Sequence, residues 1–343
     1  MQKKQKFILL TLGLVLGVVS IVALGMGAYH IPPADILRML TQKLHFGSAG
    51  GVHNMHEDVL FEIRMPRLLL GLLVGAALGI SGAAIQGIFR NPLAEPGLIG
   101  ISSGASLFAV LIIAFETFLF TSLAAWIGYY ILAFGAFVGA GLTAFLVYRI
   151  ASKNGRPNVT TMLLAGIAIN AFAGALTGLM TYMSTEQQLR TITFWMLGSL
   201  GGATWDNLRA LAPFILIPVL ILPFFGKSLN AFSLGELQAD LLGMRTDRVK
   251  RWVVVLSTLA VGASVAVSGI IGFVGLIVPH TVRLMGGADH RFVLPGSLLL
   301  GALVLTLADV IARVAVAPIE LPIGVITALL GTPVFLYILI KDK

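Results

Sequence analysis

Apolar runs too long for a soluble core recur along the whole of this 343-residue chain. They constrain its fold more than any other feature. Phe7 to Leu24 and Leu68 to Ile80 are apolar on every face, whereas a membrane β-barrel strand alternates polar and apolar side chains. Stretches of about 20 apolar residues, broken by short polar segments, suit helices that cross a hydrocarbon core roughly 30 Å thick. Only 11% of residues are charged against 57% hydrophobic, where a soluble domain carries about a quarter charged. The expected fold class is therefore all-α, a polytopic membrane protein of about ten transmembrane helices.

The expected helices are 7–29, 66–88, 96–114, 123–148, 159–183, 207–226, 252–268, 270–286, 294–314 and 321–340. The first looks like a signal peptide but is longer than an ordinary h-region, so it reads as an uncleaved helix. Net charge is +8, and its placement matters more than its sum. With the N-terminus inside, every lysine and arginine but Arg38, Lys43, Arg64, Arg67, Arg190, Arg209 and Arg313 falls on the cytoplasmic side, as the positive-inside rule requires. Both termini are then cytoplasmic. Residues 252–286 lie between two basic clusters that both belong inside, so two short helices are expected, turning near Gly269, Gly272 and Gly275 with the turn buried in protein. Gly71, Gly75 and Gly79 recur every four residues, and Gly135 and Gly139 repeat the spacing; small residues in this pattern let helices approach closely in lipid.

No catalytic constellation is present. Gly226-Lys227-Ser228 resembles the end of a phosphate-binding loop, but Ile221 stands where the first glycine belongs, so the chain is not expected to bind ATP itself. Cysteine is absent, which removes thiolate and disulfide chemistry. No cofactor and no metal site are expected; His45, His53 and His56 share an outside loop with Met55 and read as solvated. An ion-driven carrier is disfavoured because Asp309, beside Arg313 near a helix end, is the one acid that approaches membrane depth. An intramembrane enzyme is disfavoured because no buried acid or nucleophile pair stands there. Gln86 and Asn170, within membrane depth, either line a path or bond a neighbouring helix.

Between residues 228 and 250 runs the most informative polar stretch. Ser233 and Glu236 have capping-box spacing, Gly243 suits a C-terminal stop, and Leu234, Leu237, Leu241 and Leu242 share a face. The expectation is a short amphipathic helix whose acidic polar face favours a protein partner over anionic lipid.

Three runs now carry a resemblance: RMPRLLLGLLVGAALGISGAAIQGIFRNPLAEPGLIGISSGAS from Arg64, GFVGLIVPHTVRLMGGADHRFVLPG from Gly272, and ELPIGVITALLGTPVF from Glu320. Together they resemble the FecCD family of permeases, which import ferric siderophores, haem and vitamin B12. The resemblance implies a type II ABC importer permease fold, a single domain over 1–343, and two permease subunits per pathway; ten helices without internal duplication and the glycine ridges make a homodimer the expectation. It also implies two cytoplasmic ATPases and an extracytoplasmic substrate-binding protein, in the inner membrane. Glu236, Ala239 and Gly243 then match the ATPase-coupling pattern, with Leu237 and Gln238 inserted; Ser233 and Leu237 belong to the same coupling segment. Arg64, Arg67 and Arg313 match arginines that dock the binding protein, the alternative being interfacial anchors paired with Glu62 or Asp58. Val159 and Thr160 fall at the family's gate. The run from Leu163 to Trp205 is most similar to haem-type members, so haem leads, with ferric siderophore next and vitamin B12 third.

Overall fold

The computed structural model describes residues 2–27, 29, 31–44, 55–115, 130–153, 156–316 and 319–341. Its helices are α1 (Lys3–Gly25), α2 (Pro33–Leu44), α3 (Met55–Phe89), α4 (Ile101–Ala114), α5 (Ile131–Ala151), α6 (Val159–Met183) and α7 (Glu186–Leu197). They continue as α8 (Trp205–Ser233), α9 (Glu236–Leu241), α10 (Thr246–Ser268), α11 (Val274–Gly286), α12 (His290–Val314) and α13 (Ile323–Lys341). A two-residue ribbon, Ser152–Lys153 paired antiparallel with Arg156–Pro157, is the only sheet among the described residues. Among those residues seven helices are long and apolar enough to cross a membrane, joined by three shorter apolar ones, Ile101–Ala114, Val274–Gly286 and Ile323–Tyr337. The chain is an all-α, multi-pass membrane protein.

Polar side chains start several helices by accepting from their free N–H groups. Asn158 accepts from Thr161 N at the start of α6, Thr204 from Asn207 N at α8, and Asp289 from Arg291 N at α12. Thr185 and Gln188 form a reciprocal capping box at α7; α7 and α2 are helices in stretches expected as loops. Neither is long enough to span a membrane, and span length was the criterion. The helix expected at 66–88 is longer, because Met55–Asp58 and a π-helical segment, Val59–Arg64, precede Met65.

The core lies along α3, which is largely buried and packs against α12. A Cβ on Gly75 would stand 2.4 Å from Gly301 O, and one on Gly79 would stand 2.1 Å from Ser297 O. Backbone thus touches backbone, the close approach that small residues permit where lipid supplies no hydrophobic drive. Gly71 is looser, meeting only a Leu200 methyl at 3.3 Å, whereas Gly82 carries the contact on to Gly275 O of α11 at 1.9 Å. Gly79→Ala is therefore expected to destabilise by about 1–3 kcal/mol or more through overpacking. Gly174→Ala, with nothing within 4 Å of its Cβ, should leave the thermal midpoint of the solubilised protein unchanged; equal midpoints for the two would contradict the packing account.

The region between the basic clusters makes two helices, as expected, but of unequal length. α10 has 23 residues and α11 has 13. The turn at 269–273 is covered by protein: Gly269 and Ile271 are buried, and just before the turn Ser199 N donates to Ser268 O (2.8 Å). Gly269 takes φ +67, and a Cβ there would collide with Trp195 O at 2.2 Å.

Candidate functional site: charged clusters at the two ends of the bundle

At the end where α3 begins, three arginines converge. Arg67 Nε donates to Asp309 Oδ1 (3.0 Å), and its Nη1 donates to both oxygens of Glu320 (2.8 and 3.0 Å). Arg313 pairs with the other oxygen of Asp309 at 3.0 Å and donates to Met26 O (3.0 Å) and Ala23 O (3.2 Å). Arg64 donates to Leu24 O at 2.6 Å and to Tyr29 O. The last carbonyls of a helix lack partners inside it and carry its negative dipole end. Arg64 and Arg313 meet that need for α1 and pin its end to α3 and α12.

Arg64 and Arg67 are 6% and 9% exposed, and the anchor pairing with Glu62 or Asp58 is replaced by Asp309 and Glu320. The physical reason is that a cation this deep requires charged or carbonyl partners. Those partners arrive from α1, α12 and the segment before α13. Of the cluster, Glu320 alone is half-exposed.

The opposite end lies about 30 Å away, the rise of some twenty residues of α3. Here α8 runs on to Ser233, and the short helix α9 follows. Ser233 is not its cap, contrary to expectation. Its hydroxyl donates back to Asn230 O (2.6 Å) as the last residue of α8, and Gly235 at φ +120 occupies the cap position without a side-chain bond. Because α8 is longer than expected, Glu236 becomes the first residue of α9, where an acid favours the dipole. Gly243 takes φ +82, the left-handed stop that was expected. Ala239 is fully buried, whereas Leu234, Leu237, Leu241 and Leu242 are all exposed, Leu241 at 80%. Leu237 and Leu241 of this six-residue helix, flanked by Leu234 and Leu242, form an uncovered apolar row rather than a core face.

Beside α9, Lys250 on the first turns of α10 is 1% exposed. Its Nζ lies 2.5 Å from Glu236 Oε1 and donates to Pro157 O at 2.6 Å. Pro157 lies two residues before α6, whose first residues are Val159, half-buried, and Thr160, exposed. Nearby, Asp289 accepts from Arg291 and Asn230, and the Arg291 guanidinium holds its carboxyl well below the usual carboxylate range. Lys250 was missed by sequence reading, because nothing in a basic cluster marks which member is buried.

Between the two ends, Gln86 is buried, donates to Leu276 O (3.2 Å) and accepts from Arg283, so it ties α3 to α11. Asn170 donates to Gly97 O (3.1 Å) and accepts from Ser103 Oγ. It also lines a cavity of about 250 Å³ with Glu95, Ser103, Phe273 and Gly275. Bonding a neighbour is thus the observed role of Gln86, and Asn170 both bonds and lines. His45 and His53 lie outside the described residues; the His56 ring packs edge-on against Tyr29 with centroids 5.3 Å apart. No group of three or more metal-ligating side chains occurs among the described residues.

A bundle of apolar helices long enough to span a membrane, with an uncovered row of leucines at one end, defines a multi-pass membrane protein. The chain belongs to the FecCD transport family, which it matches over residues 14–341. It is 45% identical to the hemin transport system permease protein HmuU of Yersinia pestis, over 83% of this chain and 84% of that one. It is 41% identical to the vitamin B12 import system permease protein BtuC of Salmonella paratyphi A, over 97% of this chain and 95% of that one. A solved structure, described as an inward-facing conformation of a metal-chelate type ABC transporter, matches with TM-score 0.84 and 34% identity, over 98% of this chain and 99% of that one. The chain is an ABC importer permease, and its relatives are transport subunits rather than enzymes.

Proposed function

We propose that this chain is the permease of an inner-membrane importer for haem, with both termini in the cytoplasm. The similarity to a hemin permease, 45% identical over 286 residues, carries that reading. Vitamin B12 is the second reading, favoured by 41% identity over a longer stretch of 335 residues. ATP hydrolysis belongs to two separate cytoplasmic subunits that seat on the exposed leucines of α9. A second copy of the chain completes the pathway, supported by the face of α6 where Leu164, Phe172 and Tyr182 are exposed and Gly174 and Gly178 have open space around them. The gate is formed by Val159 and Thr160. An extracytoplasmic binding protein docks at the Arg67 end, where three guanidinium groups outnumber the two carboxylates of their cluster and so attract acidic groups.

Uptake by the full complex in proteoliposomes tests the substrate. ATP-dependent accumulation of haem, with cobalamin and ferric siderophores left outside, is the expected outcome. Accumulation of cobalamin in place of haem would overturn the haem assignment while leaving the importer class intact.

A further inference from the structure

We propose that Lys250 is a positioning residue that mechanically joins α9 to the start of α6, so that a displacement of α9 carries the Val159–Thr160 segment with it. The inference rests on the reading of α9 as the ATPase contact. Its basis is a lysine 1% exposed whose ammonium is shared between separate elements. Burying an ammonium is costly unless its donors are met. Here Glu236 Oε1 of α9 lies at 2.5 Å, Pro157 O of the ribbon before α6 at 2.6 Å, and Asp247 Oδ1 of α10 at 3.6 Å.

The surroundings make α9 a unit that moves as a block. It is bounded by Gly235 at φ +120 and Gly243 at φ +82, conformations that side-chain-bearing residues rarely adopt. Thr246 Oγ1 donates to Asp240 Oδ1 at 2.6 Å and holds α9 to α10. The link onward to α6 runs through the ammonium. Pro157 is buried, its carbonyl takes the lysine, and the next residue, Asn158, caps α6 while its own N–H donates to Ala151 O (3.0 Å). A second tie, Arg156 to Asp247 at 3.6 Å, joins a largely exposed arginine, and such surface pairs contribute little. A load on α9 is therefore transmitted to the first turn of α6 along Glu236, Lys250 and Pro157.

The chain has no cysteine, so two spin labels can be placed on the full complex with its ATPases, at Gln238 on α9 and Lys153 in the ribbon that leads into α6, both exposed. In the otherwise unaltered chain the 238–153 distance should stay constant when ATP is added, because both segments move together. Lys250→Met should make that distance change with ATP and should raise the ATP used per molecule transported about tenfold, a typical coupling factor. Lys250→Arg, which keeps charge and donors, should restore both readouts. Should Lys250→Met fail to accumulate in the membrane, Glu236→Gln removes the charge at the α9 side and should produce the same change of distance. A distance that stays constant in these variants, with ATP use per transport unaltered, would overturn the proposal. Leu237→Asp separates this failure from that of the underlying reading. If it releases the ATPases, only the Lys250 link is at stake; if they stay bound, α9 is not their contact and the link falls with it.

Discussion

Arg67→Met is expected to lower stability by about 3–5 kcal/mol, the usual cost of removing one partner from a buried ion pair. The loss comes from what remains. Asp309, with its side chain 7% exposed, would keep only Arg313, while Glu320, half-exposed, would return to water. Reversing the charge should be worse, because Arg67→Glu places a third carboxylate beside Asp309 and Glu320 in a setting where like charges are poorly screened. The protein is then expected to fail to accumulate in the membrane. Arg209→Met provides the contrast, since Arg209 is 76% exposed and pairs with an equally exposed Asp206 at 3.7 Å, a type of pair that contributes little. The check is the thermal midpoint of each solubilised variant. Equal midpoints for Arg67→Met and Arg209→Met would show that the cluster does not hold α3 to α12. A second check is non-additivity: Arg67→Met combined with Asp309→Leu should cost less than the two changes summed, because the first already weakens what the second removes.

Leu237→Asp together with Leu241→Asp should abolish co-purification of the ATPases while leaving the permease folded. Covering a leucine stabilises by about 1.5–3 kcal/mol, and each 1.4 kcal/mol is roughly a tenfold change in affinity. Losing two such contacts therefore weakens binding by about a hundredfold or more. Both side chains are largely exposed in the isolated chain, 69% and 80%, so the thermal midpoint of the permease alone should not move. Replacing Ala239, fully buried under the same helix, by aspartate should instead reduce the midpoint itself. ATPases retained by the double leucine variant would remove α9 from the contact.

The spans, the glycine ridge and the exposed leucines of α9 were legible in the sequence because each depends on periodicity within a few turns of one helix. Gly75 and Gly79 bear on Gly301 and Ser297 as a four-residue repeat of small side chains requires. The limits of α6 at Val159–Met183 agree with expectation because Pro157 and Asn158 are local signals. Ser233 misled for the reverse reason. Its spacing to Glu236 is a valid cap signal, but continuation of α8 through Leu222–Phe225 placed Ser233 at a helix end instead.

From its sequence alone, this protein was bound to be a many-helix membrane protein, because hydrocarbon accepts only backbone satisfied within its own helices and so dictates where the chain is apolar. Tertiary structure alone decided which charges meet. Arg67 finds Asp309 and Glu320 at separations of 242 and 253 residues, and Lys250 finds Pro157 at 93. No periodicity spans such distances. A buried cation takes whatever acceptor the packing of distant helices brings within about 3 Å, so the arginines expected to dock a partner also fasten α1, α3 and α12 to one another.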